Sequence, residues 1–273
     1  MMMKVNYHTH SRYCDGKGEP RDYVEYAIAH GFSHLGFSGH APVPFENHFA
    51  IRPEEYKSYC DEIRSLKAEY SDRIKIHIGL EIDYIPGIID DFSTLVDEGE
   101  LEYSIGSVHL VTVGDGNPDN LWFIDGSKQK VYDDGLQRVF GGDVRKAVTA
   151  FFHQNNRMIE RARPTIIAHF DKVVMYNRDR YFTYDEPWFH SLVCETVGLI
   201  KEYGIICEIN TRGLYKKRHS DFYPAASTIR LLRDMDVPLL VGSDAHSPED
   251  LDQFAGAYDV LRDMGCRNIV YEL

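Results

Sequence analysis

Histidine and acidic residues occur in closely spaced pairs near both ends of this chain. His8 and His10 flank a threonine, and Asp244 and His246 flank an alanine. On a β-strand, side chains two residues apart leave the same face, so each pair can offer two ligands to one cation. Imidazole and carboxylate groups are the usual ligands of hydrolytic zinc and related divalent ions. The two pairs therefore favour a metal-dependent hydrolase.

Further candidate ligands stand where other short apolar runs end. They are His40, Glu81, His109 and His169. If the runs are parallel strands, their C-terminal ends meet at one edge of a sheet and these residues converge. Glu81 differs from the others because the two oxygens of a carboxylate can bridge two cations.

Three more residues have competing interpretations. Asp15, in a Tyr-Cys-Asp-Gly segment, can reach the same cation as His40, but Asp-Gly is also ordinary turn chemistry. Asp83 shares a strand face with Glu81, so it is either an alternative ligand or a residue behind the ligands. His77 lies inside its apolar run, and we expect it in the core.

Strand-like runs alternate with helix-like runs through most of the sequence. Strands are expected at residues 4–8, 34–38, 74–82, 103–110, 165–169, 205–210, 238–242 and 268–273. Helices are expected at residues 21–30, 53–70, 87–98, 144–163, 186–203, 225–235 and 248–264. This repetition predicts parallel strands joined by crossover helices. The stretch 111–142 is expected to be a long irregular loop, either a lid or substrate wall or a plain surface loop.

Two α/β architectures share this order of elements. An open, doubly wound sheet would gather its ligands at one switch point. Here candidate ligands end nearly every strand, which favours a closed barrel with its site at the C-terminal mouth. A length of 273 residues suits one such barrel. We therefore predict a single domain over residues 1–273.

Composition argues against several other classes of protein. A net charge of -13 disfavours nucleic acid and anionic lipid as partners, since both require clustered lysine and arginine. The five cysteines are widely spaced, which indicates free thiols in a reducing cytoplasm. No run reaches the ~18 apolar residues of a membrane span, and the N terminus lacks a signal-peptide pattern. A soluble, cytoplasmic protein is expected.

Taken together, these residues resemble the polymerase-and-histidinol-phosphatase (PHP) superfamily across nearly the whole chain. The shared motifs are His-Thr-His at 8–10, Ser-Gly-His at 38–40, Glu81, Ser-Val-His at 107–109, Ala-His at 168–169 and Gly-Ser-Asp-Ala-His at 242–246. The length is similar to that of the stand-alone histidinol-phosphatases. So are the segments Gly-His-Ala-Pro-Val-Pro at 39–44, Phe-Ile-Asp-Gly at 123–126 and Glu-Ile-Asn-Thr-Arg-Gly at 208–213.

The resemblance implies a distorted, TIM-like, seven-stranded (β/α) barrel that hydrolyses L-histidinol phosphate in histidine biosynthesis. It also implies three divalent metal ions, which could be manganese, iron or zinc. By matching positions, the three ligand sets are His8, His10, Glu81 and Asp244; Glu81, His109 and His169; and Asp15, His40 and His246. Many relatives carry histidine at the position of Asp15, and carboxylate is a harder ligand, which bears on metal preference there.

A phosphomonoester also needs cations that hold its oxygens. Arg212 follows the sixth expected strand, and its planar guanidinium suits bidentate phosphate binding. Lys216, in the basic segment 215–219 of the same loop, either attracts the anion or belongs to a solvated turn, and Arg178, in the loop after His169, is a weaker candidate. The expected catalytic residues are Glu81, Asp244, His246 and Arg212. In this hypothesis the cations activate a water for in-line attack on phosphorus, and His246 or an acid from a mouth loop protonates the leaving group.

Three alternatives stay open. The first is another PHP-type phosphoesterase that acts on a nucleotide, a sugar phosphate or phosphotyrosine. The second is a non-catalytic metal-binding module, although such modules often lose ligands and every position here holds a competent one. The third is an amidohydrolase, which often adds a bridging lysine that is not seen at a strand mouth here. The expected partner is a small phosphorylated substrate, with neither nucleic acid nor membrane.

Overall fold

The computed structural model describes residues 3–114 and 116–273, and within them seven parallel strands form one sheet. In spatial order these are β1 (Val5–Asn6), β2 (His34–Phe37), β3 (Lys75–Asp83), β4 (Tyr103–Ser107), β7 (Ile166–Ile167), β8 (Ile206–Asn210) and β9 (Leu239–Gly242). A separate antiparallel hairpin consists of β5 (Leu110–Thr112) and β6 (Leu121–Phe123). The strands of the main sheet follow the order of the chain, as in a barrel and unlike a doubly wound sheet.

The first and last strands meet just beyond their regular ends. Thr9 and Ala245 form an isolated parallel bridge. The amide of His10 donates to the carbonyl of Ala245 at 2.8 Å, and the amide of Ala245 donates to the carbonyl of His8 at 3.0 Å. The sheet is therefore nearly closed, which confirms the predicted TIM-like barrel and brings the two terminal ligand pairs face to face.

Helices follow most of the strands. They are α1 (Pro20–Ala29), α2 (Tyr56–Glu69), α3 (Ser93–Gly99), α4 (Gln129–Phe140), α5 (Val144–Arg161), α6 (Pro187–Tyr203), α7 (Arg212–Tyr215), α8 (Ala226–Asp234) and α9 (Ala257–Asp263). Local chemistry sets some of their ends: the Asp143 side chain caps the amide of Lys146 at the start of α5, and Gly204 ends α6 with a φ of 67°. In the described part of the chain, no helix is both long and apolar enough to cross a membrane.

A buried cluster fills the interior of the barrel at the N-terminal ends of the strands. Its members are Val5, Tyr7, Tyr103, Ile105, Ile166, Ala168 and Leu240. The Tyr103 hydroxyl lies 2.7 Å from the carbonyl of Tyr7. Its ring occupies space left by glycine, since a Cβ at Gly79 would lie only 2.6 Å from the ring. This end of the barrel is solid, so the polar groups collect at the opposite mouth.

The segment 111–142 is not the irregular loop that was predicted. Within it, residue 115 lies outside the described residues, and the others include β6, most of β5 and α4. Trp122 organises the segment, because its buried ring packs on Gly135 and its Nε1 donates to the carbonyl of Tyr132 at 2.9 Å. Strands of three residues are too short to produce a periodic pattern, so the sequence interpretation missed them.

The predicted helix over residues 248–264 is also wrong in its extent. A single 3₁₀ turn (Pro248–Asp250) precedes α9, and the two are separated by Ala255 and Gly256 at φ values of 48° and 75°. A right-handed helix cannot continue through left-handed backbone.

Two further boundaries differ from expectation. The helix predicted at residues 87–98 begins only at Ser93, after Gly87 at a φ of 81°. The strand predicted at residues 268–273 is reduced to one bridge between Ile269 and Leu239.

Candidate active site

The strand ends place the candidate ligands in one cluster at the C-terminal mouth. His40 and Glu81 are joined by an isolated parallel bridge, so the ends of β2 and β3 lie side by side. His169 and Asp244 have positive φ values of 27° and 51°. Left-handed backbone at a non-glycine residue is a local strain that folds retain mainly at functional sites. The strain at these two residues fits their place as members of the cluster.

The carboxylate of Glu81 lies at the centre of this cluster. Its Oε2 is 3.1–3.4 Å from imidazole nitrogens of His8, His10 and His40. Its Oε1 is 2.9 Å from His169 Nε2 and 3.5 Å from His109 Nε2. Burial alone would raise the pKa of Glu81, but the surrounding histidines outweigh it and hold the pKa well below its ordinary value. An ionised carboxylate therefore presents each oxygen to a different set of histidines.

Within the described residues, four overlapping groups of side chains have ligand atoms that all lie within 4.8 Å of one another. They are His10, Asp15, His40 and His246; His8, Glu81 and His169; His8, His10 and Asp244; and His40, Glu81 and His109. The structure thus brings together every ligand named from the sequence. It includes Asp15, whose Oδ1 is 3.2 Å from His246 Nε2.

Unpaired atoms indicate that the cluster is suited to cations. The Nε2 atoms of His8 and His10 and the Nδ1 atom of His40 are buried without a hydrogen-bond partner among the described residues. Buried polar atoms are costly unless a ligand satisfies them. Burial, reinforced by His246 and His40, holds the pKa of His10 well below its ordinary value, which keeps this imidazole neutral and able to bind a metal. These residues fit divalent metal ions.

Acidic residues behind the cluster orient two of the histidines. Glu208 Oε1 is 2.6 Å from His8 Nδ1, and Asp83 Oδ1 is 3.0 Å from His109 Nδ1. In both cases the Nε2 atom is left to face Glu81, as in carboxylate–histidine–metal arrangements. Asp83 therefore lies behind the ligands. The sequence interpretation missed Glu208, although a buried acid on β8 with the same parity as Asn210 is a readable signal.

A cavity of about 620 Å³ opens above the cluster. One part of its wall is aromatic and includes Phe45, Phe49 and Phe123. The ring centroid of Phe49 lies 5.7 Å from that of Phe123 and 5.5 Å from that of His40. Phe123 belongs to β6, so the hairpin contributes to this wall. The volume is typical of a site for a small molecule.

Arg212 lines the same cavity at the start of α7. Its Nη1 donates to the carbonyl of Asp244 at 2.6 Å, which fixes the guanidinium beside the ligand cluster. Lys172 and Arg218 also line the cavity, and the sequence interpretation gave neither of them a definite role. For Lys172 the available signal is its position three residues after His169, close to a strand mouth.

The other two phosphate-binding candidates lie outside the described lining of this cavity. Lys216 Nζ is 2.8 Å from Asp250 Oδ1. Arg178 donates to the carbonyl of Arg218 at 3.1 Å and borders a neighbouring surface pocket. Their placement favours Arg212 over both for contact with a phosphate.

Comparison with known proteins agrees with this geometry. The sequence profile of the PHP domain matches residues 6–212, which is most of the chain. The chain belongs to the PHP domain family. This PHP domain is 26% identical over 270 residues to the histidinol-phosphatase of Bacillus subtilis, an alignment that covers 92% of this chain and 96% of that protein.

Two solved structures share the fold of this PHP domain. A chain from Listeria monocytogenes superposes with a TM-score of 0.81 at 22% identity, covering 93% of this chain and 100% of that one. Histidinol phosphate phosphatase from Lactococcus lactis, solved with zinc, L-histidinol and phosphate, superposes with a TM-score of 0.71 at 21% identity. That superposition covers 98% of this chain and 96% of the lactococcal chain.

Proposed function

We propose that this PHP domain, taken as one unit over residues 1–273, is a metal-dependent phosphomonoesterase. Its substrate is L-histidinol phosphate, which it hydrolyses to L-histidinol and phosphate in histidine biosynthesis. The observation that carries this proposal is a cluster of nine candidate metal ligands with Glu81 at its centre, directly beside a cavity that contains Arg212. The histidinol-phosphatase of Bacillus subtilis, which aligns over nearly the whole chain, supports the choice of substrate.

Three divalent ions fit the overlapping ligand groups. The family resemblance assigns His8, His10, Glu81 and Asp244 to one ion, Glu81, His109 and His169 to the second, and Asp15, His40 and His246 to the third. The groups of close ligand atoms overlap these sets, and they also combine His8 with Glu81 and His169, and His40 with Glu81 and His109. Zinc is the first candidate because the lactococcal structure contains it, and manganese and iron accept the same nitrogen and oxygen ligands. Bound ions of this kind supply Lewis-acid stabilisation of phosphoryl oxygens and lower the pKa of the attacking water.

The residues of the chain position the phosphate and the ligands. Arg212 offers a guanidinium fork to two phosphoryl oxygens, and its bond to the Asp244 carbonyl holds the fork at the cavity wall. Glu81 and Asp244 supply the negative charge that retains the cations. His246 Nδ1 lies 3.0 Å from the carbonyl oxygen of Asp244, and its Nε2 lies 3.2 Å from Asp15 Oδ1. The ring is held between these two groups, so its Nε2 can reach a cation that Asp15 also binds.

The aromatic wall provides a place for the imidazole ring of the substrate. Phe45, Phe49 and Phe123 border the cavity that the phosphate-binding Arg212 also lines. Aromatic pairs gain about 0.5–1.5 kcal/mol beyond the burial of their surface. A phosphomonoester with a ring at its other end can therefore contact both sides of the cavity at once.

We also propose a cytoplasmic location and no nucleic-acid or membrane partner. The five cysteines are free in the structure, which suits a reducing compartment. The net charge of -13 disfavours polyanionic partners.

The decisive experiment measures hydrolysis by the purified protein loaded with zinc, manganese or iron. The panel contains L-histidinol phosphate, a nucleotide, a sugar phosphate, phosphotyrosine and a phosphodiester. We expect the highest kcat/KM for L-histidinol phosphate, loss of activity on chelation, and more than one metal ion per chain by elemental analysis. A higher kcat/KM for another phosphoester would replace the proposed substrate. A content of one ion or fewer after loading would reject the trinuclear site.

A further inference from the structure

A buried ion pair in the cavity lies outside the nine candidate ligands. Lys172 Nζ is 2.8 Å from Asp125 Oδ2, and the two side chains are only 8% and 12% exposed. The ammonium of Lys172 thus has the carboxylate of Asp125 as its nearest counter-charge. A buried ion pair contributes little to stability on balance, because its desolvation offsets its attraction. Stability is therefore a weak explanation for its presence here.

The position of Lys172 relates it to Arg212. Lys172 Nζ is 3.9 Å from Asp244 Oδ2, and Arg212 Nε is 4.0 Å from Asp244 Oδ1. The two cations thus lie next to different oxygens of one carboxylate, and both line the cavity. A small anion that enters beside Asp244 meets a positive charge from each of them.

The ammonium of Lys172 also has more N–H donors than its neighbours use. It carries three N–H groups. Asp125 Oδ2 is within hydrogen-bond distance, whereas Asp244 at 3.9 Å is not. Among the described residues no second acceptor lies that close, so the remaining N–H groups can be donated to a ligand, and the Asp125 carboxylate holds the flexible side chain in place.

We propose that Lys172 is a second phosphate-binding residue, which holds a phosphoryl oxygen opposite Arg212, and that Asp125 is the residue that positions it. This inference rests on the proposed function, since it assigns Lys172 to the phosphate end of the same substrate cavity. Lysine acts here as a compact point charge, whereas Arg212 acts through its planar fork. Two preorganised cations of this kind stabilise the charge that develops on phosphorus oxygens during attack.

A purely structural role gives a different expectation. If Lys172 only neutralised Asp125 and Asp244, its removal would disturb the ligand Asp244 and lower metal content. Phosphate binding would then fall only together with the loss of metal. Metal content and phosphate affinity must therefore be measured on the same samples.

The experiment compares the metal-loaded wild type with Lys172→Met, the double variant Lys172→Met/Asp125→Asn, and the control Lys67→Met. The double variant removes both charges, so it leaves no unpaired buried carboxylate and protects against misfolding. Lys67 is a matched control because it pairs with Glu102 on the surface, away from the cavity lining. The probe is inorganic phosphate, measured by equilibrium dialysis, with metal content measured by elemental analysis.

We expect both Lys172 variants to keep their metal and to bind phosphate about 10- to 100-fold more weakly, as the loss of one charge-assisted hydrogen bond predicts. Lys67→Met should match the wild type, and Lys172→Arg should recover part of the affinity. Asp125→Asn, which keeps the charge of Lys172 but loosens its position, should lose less phosphate affinity than Lys172→Met, and Asp125→Glu should restore it.

Two results would overturn the inference. One is phosphate affinity within twofold of the wild type in both Lys172 variants. The other is a fall in phosphate binding that follows a fall in metal content. The proposed substrate is judged separately, from hydrolysis of L-histidinol phosphate by the wild type, so failure of either idea can be recognised without the other.

Discussion

Replacing Glu81 by glutamine keeps the size of this side chain but removes the charge around which the histidines are arranged. Glu81 Oε2 is 3.1 Å from His8 Nε2, and Oε1 is 2.9 Å from His169 Nε2. In glutamine one of these oxygens becomes an NH₂ group, which donates hydrogen bonds and offers no lone pair to a cation. We therefore expect Glu81→Gln to weaken metal binding on both sides of the former carboxylate.

The size of the effect follows from linkage between binding and folding. A site filled at one hundred times its Kd stabilises the folded state by about 2.7 kcal/mol, so the loss of two sites removes about 5 kcal/mol. At ~2 °C per kcal/mol for a chain of this size, the metal-dependent increase in Tm should shrink by about 10 °C. Turnover should fall more than about 100-fold, beyond the range usual for residues that only orient a ligand.

The assay compares Tm with metal and with chelator in each variant, because the difference cancels any effect of the substitution on the metal-free protein. Asp83→Asn is the matched comparison: Asp83 lies behind His109, so its loss should cost about 10- to 100-fold in metal affinity or activity. Glu81→Gln with full metal content, an unchanged Tm increment and turnover near that of the wild type would refute the bridging role.

Arg212→Ala should keep its metal and lower kcat/KM toward L-histidinol phosphate about tenfold to a few hundredfold, because it loses charge-assisted hydrogen bonds of ~1.5–3 kcal/mol each; unchanged steady-state kinetics would show that Arg212 does not hold the phosphate. Phe49→Ala should raise KM about two- to tenfold and leave inhibition by inorganic phosphate unchanged, since it removes a ring contact alone; a parallel loss of phosphate inhibition would contradict a separate place for the ring. His34 Nδ1 and His77 Nε2 are 3.0 Å apart, and burial lowers both pKa values below 6.5. At pH values between the lowered pKa values and 6.5, these two histidines bind more protons in the unfolded chain than in the folded protein. Their contribution to stability is therefore complete above pH 6.5 and is lost as the pH falls through the lowered pKa values. Between pH 7 and pH 5, the unfolding free energy of His77→Gln, measured by urea titration, should therefore fall less than that of the wild type. An equal fall in both proteins would show that this histidine pair does not link stability to pH.

The cluster of candidate ligands could be predicted from sequence because most of its members follow the end of an apolar run. Parallel strands bring such ends to one edge, so His109 and His169 converge although many residues separate them. The same reasoning does not reach Glu208, which lies within β8 and not at its end. The signal that could have found it is the parity it shares with Asn210, which places both side chains on the same face of β8.

The ion pair of Lys172 and Asp125 could not be predicted in the same way. Asp125 follows β6, in a segment whose short elements lack a periodic pattern and depend on the buried Trp122 for their arrangement. The break before α9 was hidden for another reason. Ala255 adopts left-handed backbone that alanine seldom adopts, so its residue type gives no signal of a turn.

The bridge between Thr9 and Ala245 has a consequence for how the protein acquires its metal. Synthesis begins at the N terminus, so His8 and His10 emerge from the ribosome long before Asp244 and His246. Contacts between such distant parts of a chain form late, because the loop between them must first be ordered. A nascent chain that has reached Arg212 already contains the whole stretch matched by the PHP profile but lacks one side of the mouth. The ligand groups that include Asp244 or His246 are therefore expected to fill only after β9 has been made, in a post-translational step, whereas Glu81, His109 and His169 are already present in the shorter nascent chain.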